Sequence, residues 1–241
     1  MTTRNPDANG WVTSAQAWLD RMPETGDFAR KYVLDKPMIE RAISDNPKTI
    51  VDIGCGDGRF CRFLKRHGIT TTGIDPVEKF LEFAAQKDPD GNYLTGFAEA
   101  LPFENESFDL AVFYLTLIDI DDMPKAIQEA VRILKPGGKI LIANLNSFFT
   151  SNGTIGWIVS QDEEVYRPLG DYFSQRKDWF EWDGMRVRNW HRPLNAYMDV
   201  LLKCGMTLTY FDEPQPVGCP DERAERYCAA PYLMIMEWRK L

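Results

Sequence analysis

The sequence predicts a doubly wound α/β domain, on three observations. Between residues 48 and 145, short β-branched or continuous apolar runs alternate with helical stretches. The first run, KTIVDIG, opens into a glycine-rich turn, VDIGCGDGRF, at 51–60. The helical stretches close on glycine or proline, as RFCRFLKRHG does at Gly68. Strands separated by helices pair in parallel, with helices covering the sheet.

Taken in order, the elements begin with two N-terminal helices. They cover Trp11 to Met22 and Phe28 to Ser44, with Pro37 breaking or restarting the second. The strand at KTIVDIG and its helix follow. TTTGID is the second strand, with a helix from Val77 to Lys87, and GNYLTG is the third. FDLAVFYLTL reads as a buried fourth strand. The spacing of Ala126, Ile127, Ala130, Val131 and Leu134 predicts a helix stopped by Pro136 and two glycines, before a fifth strand at KILIANL. A helix near 194–204, a strand near 206–212 and a last strand at PYLMIMEWR bring the sheet to seven strands. Residues 146–192 break the pattern, carrying ten aromatic residues from Phe148 to Trp190 without a clear period. They read as an inserted cap, or as a satellite core on the sheet edge. The expected organisation is an N-terminal helical cover at 1–47, a core at 48–145, the cap at 146–192 and a sheet-completing segment at 193–241.

Composition bounds what such a domain does. The 241 residues are 44% hydrophobic and 12% aromatic, enough for a buried core. A net charge of −8 argues against a nucleic-acid surface. No run of eighteen apolar residues is present, and MTTRNPDANGW lacks the apolar run of a signal peptide. Five cysteines without a CxxC pair suit reduced thiols in a cytoplasm, and two distant histidines give no metal site.

The glycine turn is the first functional signal. Gly54, Gly56 and Gly58 follow one another closely, but the third glycine of a dinucleotide fingerprint would fall at Arg59. No Gly-Lys-Ser/Thr follows, which excludes the usual Walker loop. Asp75, about twenty residues on at the end of the second strand, is placed to accept hydrogen bonds from ribose hydroxyls. Together these point to an adenosine-type ligand, though such glycines and aspartates also serve as plain connections and helix caps. Asp52 beside the turn would repel a pyrophosphate and suits a ligand bearing an ammonium group.

With FAEALPFENESFD at 97–109 and RILKPGGKILI at 132–142, the turn VDIGCGDG resembles the class I S-adenosylmethionine-dependent methyltransferases, in particular the small-molecule group that includes ubiquinone-biosynthesis-type enzymes. The resemblance spans residues 48–145 in order and spacing. It implies a Rossmann-like, seven-stranded, mostly parallel sheet and S-adenosylmethionine as cofactor, leaving S-adenosylhomocysteine as product. It further implies that Gly54 and Gly56 lie against the methionyl and ribose parts, with Asp52 at the methionyl side. Asp75 would take the ribose hydroxyls, Pro76 and Val77 would lie beside the adenine, and Ala98 would offer its N–H to that ring. Phe97 stands where the family commonly has Asp, so Glu99 or a backbone carbonyl substitutes for it. Tyr114 and Leu115 would flank the cofactor and face the substrate. GDFARKYVLDKPMIERAI and HRPLNAYMDVLLKCGM resemble a subgroup in which Arg30 and Tyr32 close over the cofactor, Arg30 pairing with its carboxylate.

On this reading the substrate is a small aromatic or apolar molecule, methylated on O or N. His191 is the candidate base or substrate contact, or else a helix-start residue bonded to backbone. Asp119, Asn144 and Tyr166 are further candidates by position, and Trp179, Trp182 and Trp190 would wall the pocket. QDEEVY would suit a cationic acceptor and MRVRNWHR an anionic one. A catalytically silent binding or regulatory subunit and an NAD-dependent reductase are the alternatives. The chain is expected to be a cytoplasmic monomer or homodimer without nucleic-acid or membrane partners.

Overall fold

In the computed structural model, the described residues are 5, 7–162, 165–219 and 223–241. α1 (Trp11–Arg21) is followed by a π-helical turn, Arg30–Leu34, that runs directly into α2 (Asp35–Ile43). Pro37 therefore does not break this helix. Proline cannot donate to the carbonyl four residues earlier, and the widened turn lies where that bond would be missing. β1 (Thr49–Ile53), α3 (Arg59–Lys65), β2 (Thr70–Asp75), α4 (Glu78–Lys87), β3 (Asn92–Thr95) and β4 (Phe108–Tyr114) follow as the pattern predicts.

α5 (Met123–Ile133) ends earlier than expected, and β5 (Leu134–Leu145) already begins within LKPGG. The register jumps from Phe108↔Leu134 to Leu110↔Lys139, so Lys135–Gly138 bulge out of the ladder. Proline and glycine are tolerated there because a bulge needs no regular pairing.

The sheet order is β10-β11-β5-β4-β1-β2-β3, counting two later strands, β10 (Met206–Asp212) and β11 (Leu233–Lys240). Only β11 runs against its neighbours. Alternation along β4 divides the core in two. Ala111 and Phe113 join the cluster under α5 and α7 (Leu194–Lys203), whereas Leu110, Val112 and Tyr114 join the one under α2 and α3. The chain leaves β1 towards β2 on one side and later returns as β4 on the other. Their carboxyl ends thus flank the switch point where doubly wound sheets bind ligands.

Residues 146–192 hold α6 (Ser147–Thr150), a short ladder β6 (Ile158–Val159) with β7 (Val165–Tyr166), and a hairpin of β8 (Arg176–Trp182) with β9 (Met185–His191). Sequence reading passed over this hairpin. Its signal is Asp183-Gly184, both at positive φ (51° and 81°), the two-residue turn that matches the twist of paired strands. A further helix, α8 (Arg223–Ala229), also escaped sequence reading. No helix among the described residues is long and apolar enough to cross a membrane.

The hairpin is riveted to the sheet through its last residues and the HRPL motif. Trp190 N–H donates to the Ile118 carbonyl at 2.7 Å. The Arg192 guanidinium, buried, donates to the carbonyls of Leu117 (2.8 Å) and Ile120 (2.6 Å). On its other side β9 holds α1, with Ser14 Oγ bonded to Arg186 backbone and Arg188 N–H donating to the Asn9 carbonyl at 2.9 Å. Arg192→Ala should strip donors from buried carbonyls and cost about 2–4 kcal/mol in denaturant unfolding. A cost under about 0.5 kcal/mol would show that the rivet carries no load.

Candidate active site

Three glycines shape the turn after β1 for three different reasons. Gly54 (φ 77°) passes so close to Thr116 that a Cβ would lie 2.0 Å from its Cγ2. Gly58 (φ 72°) precedes α3 in the left-handed region, and its Cβ would strike the Tyr93 ring at 2.6 Å. Gly56 (φ 53°) differs, because a Cβ there meets nothing within 4 Å. Its N–H donates to Asp75 Oδ2 at 2.9 Å, and Val77 N–H donates to Oδ1 at 2.8 Å. The turn is thus tied to the end of β2 by the carboxylate that sequence analysis assigned to ribose.

Beside it lies a cavity of about 370 Å³, within the size range of small-ligand sites. Its wall contains Asp52, Gly54, Gly56, Asp75, Pro76 and Val77 from the first two strand ends. Phe97, Ala98 and Glu99 come from the loop after β3, and Tyr114, Leu115 and Asp119 from the end of β4. Arg30 reaches it from the π-helical turn. Trp11, Trp18, Thr116 and Arg188, none of them a sequence-predicted site residue, also line it, as does Arg59 from the place of the missing third glycine. The signal for the two tryptophans was their seven-residue spacing, which places both on one face of α1.

The other candidates lie elsewhere. His191 is 1% exposed and does not line the cavity. Its Nε2 lies 2.8 Å from the Tyr172 carbonyl, which needs a donor, so Nδ1 accepts from Thr150 Oγ at 2.7 Å. That network fixes a neutral tautomer, and burial lowers the imidazole pKa below its usual value. Tyr32, Asn144, Tyr166, Trp179, Trp182 and Trp190 are also absent from the cavity wall. Tyr32 stacks near Phe28, and the Asn144 amide donates to Tyr197 inside the core. Tyr166 is exposed, while Trp179 and Trp190 carry guanidinium groups on their faces within the hairpin region. Trp182, half exposed, ends β8 at the hairpin turn. Alternation puts Trp179 and Trp182 on opposite faces of β8, and the Trp190 indole is spent on Asp121 in the loop after β4. In QDEEVY, Glu163 and Glu164 lie outside the described residues.

The electrostatics of the wall are lopsided. Each guanidinium has a carboxylate partner: Arg30 with Asp27 (2.8 Å), Arg59 with Asp35 (2.7 Å), and Arg188 with Asp121 (2.6 Å). Tyr114 joins the second pair by donating to Asp35 at 2.8 Å. Three wall carboxylates instead meet neutral donors. Asp52, 2% exposed, accepts a weak bond from the Cys61 thiol (3.7 Å), while its Oδ1 is buried with no partner among the described residues. Asp75 takes the two backbone N–H groups, and Asp119 takes Asn189 Nδ2 at 2.8 Å and the Trp11 indole. Burial pushes Asp52 and Asp119 up to about 7 and Asp75 up to about 6.

A cation delivered to this wall would relieve that cost. The orphaned Oδ1 of Asp52 and the open space over Gly56 fit a ligand with an ammonium group lying against the turn. Gly54→Ala should destabilise the fold by about 2–4 kcal/mol, through both strain and the Thr116 clash. Gly56→Ala should cost about 1 kcal/mol of stability and lose most ligand affinity. Thermal unfolding and calorimetric titration separate the two, and identical profiles would contradict the distinct roles.

Residues 51–142 match the methyltransferase domain family. The malonyl-[acyl-carrier protein] O-methyltransferase of Erwinia pyrifoliae is 30% identical over 164 residues, covering 61% of this chain and 63% of that protein. The demethylmenaquinone methyltransferase of Thermotoga maritima is 32% identical over 140 residues, 54% of this chain and 61% of that one. The chain thus spans less than two thirds of the length of these relatives. An S-adenosylmethionine-dependent methyltransferase from Mesorhizobium loti superposes with a TM-score of 0.77 at 23% identity, over 85% of this chain and 96% of the other. The family match identifies residues 51–142 as a methyltransferase domain, and the chain shares the fold of that solved structure.

Proposed function

We propose that this chain is an S-adenosylmethionine-dependent methyltransferase that methylates an O or N atom of a small aromatic or apolar molecule. The observation that carries the reading is the charge of the cavity. Asp52 and Asp75 are buried in its wall and Asp119 is half-buried there, each held by neutral donors, while the wall's guanidinium groups are paired with other carboxylates. Such a site favours a cationic ligand and disfavours a pyrophosphate, which argues against NAD.

In this reading the chain's own groups divide the work. Asp52 takes the ammonium group, with Arg30 at the carboxylate. Asp75 keeps its two backbone bonds and offers remaining lone pairs to the ribose hydroxyls. Val77, Phe97 and Ala98 border the adenine, with Glu99 beside them. The bound cofactor supplies an already electrophilic methyl group, so the protein's task is alignment and exclusion of water. Trp11 and Trp18 of α1 close the cavity from above, while Tyr114, Leu115 and Thr116 form the floor facing the acceptor. No histidine is required in this scheme, since His191 is committed to Thr150 and Tyr172. The Erwinia pyrifoliae relative is an O-methyltransferase, which favours an oxygen acceptor. Residues 146–192 act, in this reading, as a brace for the N-terminal cover.

Calorimetric titration with S-adenosylhomocysteine, with NAD in parallel, tests the proposal. Micromolar binding to the first and none to the second is expected, and Asp75→Ala should weaken the first by about 1–3 kcal/mol. Binding to NAD alone would overturn the assignment. Binding without turnover of any acceptor in a labelled-methyl screen would favour the silent, regulatory alternative.

A further inference from the structure

The HRPL motif does more than open α7. With β9 it grips the loop after β4 along its length. Arg192 takes the carbonyls of Leu117, Ile120 and Asp121. Trp190 N–H takes that of Ile118, and Asn9 Nδ2 reaches that of Asp119 at 3.5 Å. The Asp121 side chain receives Arg188, Lys177 and the Trp190 indole. The loop's conformation is therefore set from outside, and beside Thr116, Ile120 and the cation-paired Asp121 it presents the Asp119 carboxylate to the cavity.

That carboxylate is peculiar in its surroundings. Asn189 from β9 and Trp11 from α1 hold it, and both are neutral donors. Facing it are the Asp75 carboxylate on β2 and the Arg188 guanidinium on β9, the latter already paired with Asp121 at 2.6 Å. Neutral donors orient a carboxylate without cancelling its charge. Of the three wall carboxylates, Asp52 lies beside the glycine turn and Asp75 spans Gly56 and Val77. Asp119 lines the same cavity from the loop after β4, beyond Leu115 and Thr116, with the Trp11 indole on its carboxylate.

Resting on the cofactor reading above, we propose that Asp119 is the counter-charge of the cofactor's sulfonium, so that the cavity holds the charged methyl donor more tightly than its neutral thioether product. S-adenosylmethionine and S-adenosylhomocysteine share the ammonium, carboxylate, ribose and adenine and differ by the methyl group and the positive charge it places on sulfur. A group that reads only this charge changes the ratio of the two affinities and leaves the shared contacts alone. Asn189 and Arg192 are positioning residues for it. The device assists turnover, because loss of the sulfonium charge loosens the product where it was made.

The experiment measures dissociation constants for S-adenosylmethionine and S-adenosylhomocysteine by calorimetry at pH 8, on the wild-type chain, Asp119→Asn and Asp119→Glu. Asp119→Asn keeps shape and an acceptor oxygen, and is expected to weaken S-adenosylmethionine about tenfold while S-adenosylhomocysteine stays within twofold. Asp119→Glu should restore most of the preference. In the wild type the preference should also shrink from pH 8 to pH 6, as the carboxylate, raised to about 7, takes up a proton. Asp52 titrates in the same range, but it faces an ammonium that both ligands carry, so it drops out of the ratio. Equal weakening of both ligands by Asp119→Asn, or an unchanged ratio, overturns the proposal while leaving the cofactor reading standing. Failure of the wild type to bind either ligand overturns both.

Discussion

The site depends on an electrostatic debt held at the carboxyl edge of the sheet. Asp52, Asp75 and Asp119 end or follow β1, β2 and β4, the strands that flank the switch point. The parallel sheet buries Asp52 and Asp75, since helices cover both faces, and leaves Asp119 half-buried in the loop after β4. Each arginine in the same wall is paired with another carboxylate, so none forms an ion pair with these three. Burial then raises all three towards neutrality, which is the protein's cheapest answer while the wall lacks a cation.

The rest of the architecture keeps that wall rigid. The glycine turn is locked by Asp75 on one side and Thr116 on the other. Arg59 occupies the place where a dinucleotide loop would have its third glycine, and its guanidinium is buried against Asp35 and Phe63. The residue that looked anomalous in the sequence is thus a structural tie between α3 and α2. The aromatic cap plays a similar part. Its hairpin packs α1 against the end of β4, with the Trp190 indole bonded to Asp121 there.

Much of this was legible in the sequence where a local rule and the fold agree. The strand–helix alternation, the Gly54–Gly56 turn and Asp75 report local geometry that the topology preserves. Residues carried into the cavity by distant contacts were harder to read. Trp11 and Trp18 sit 30 or more positions before the glycine turn, and only their helical spacing hints at a shared face. His191 was misleading for the opposite reason. A histidine in the expected substrate half suggests chemistry, but two partners, Thr150 and Tyr172, consume both of its nitrogens. The hairpin's local signal is Asp183-Gly184 between aromatic strands, set in a stretch whose aromatic residues follow no single period.

The most direct test of the charge account is proton release on binding. Titration of S-adenosylhomocysteine at pH 7, in buffers of different ionisation enthalpy, reports the protons exchanged per ligand bound. Asp52 at about 7 is roughly half protonated there, and an ammonium placed against it favours the charged form. The account therefore expects net release on the order of half a proton, reduced in Asp52→Asn. Binding with no proton exchange, or with uptake, would contradict the claim that the cavity's carboxylates await a cation.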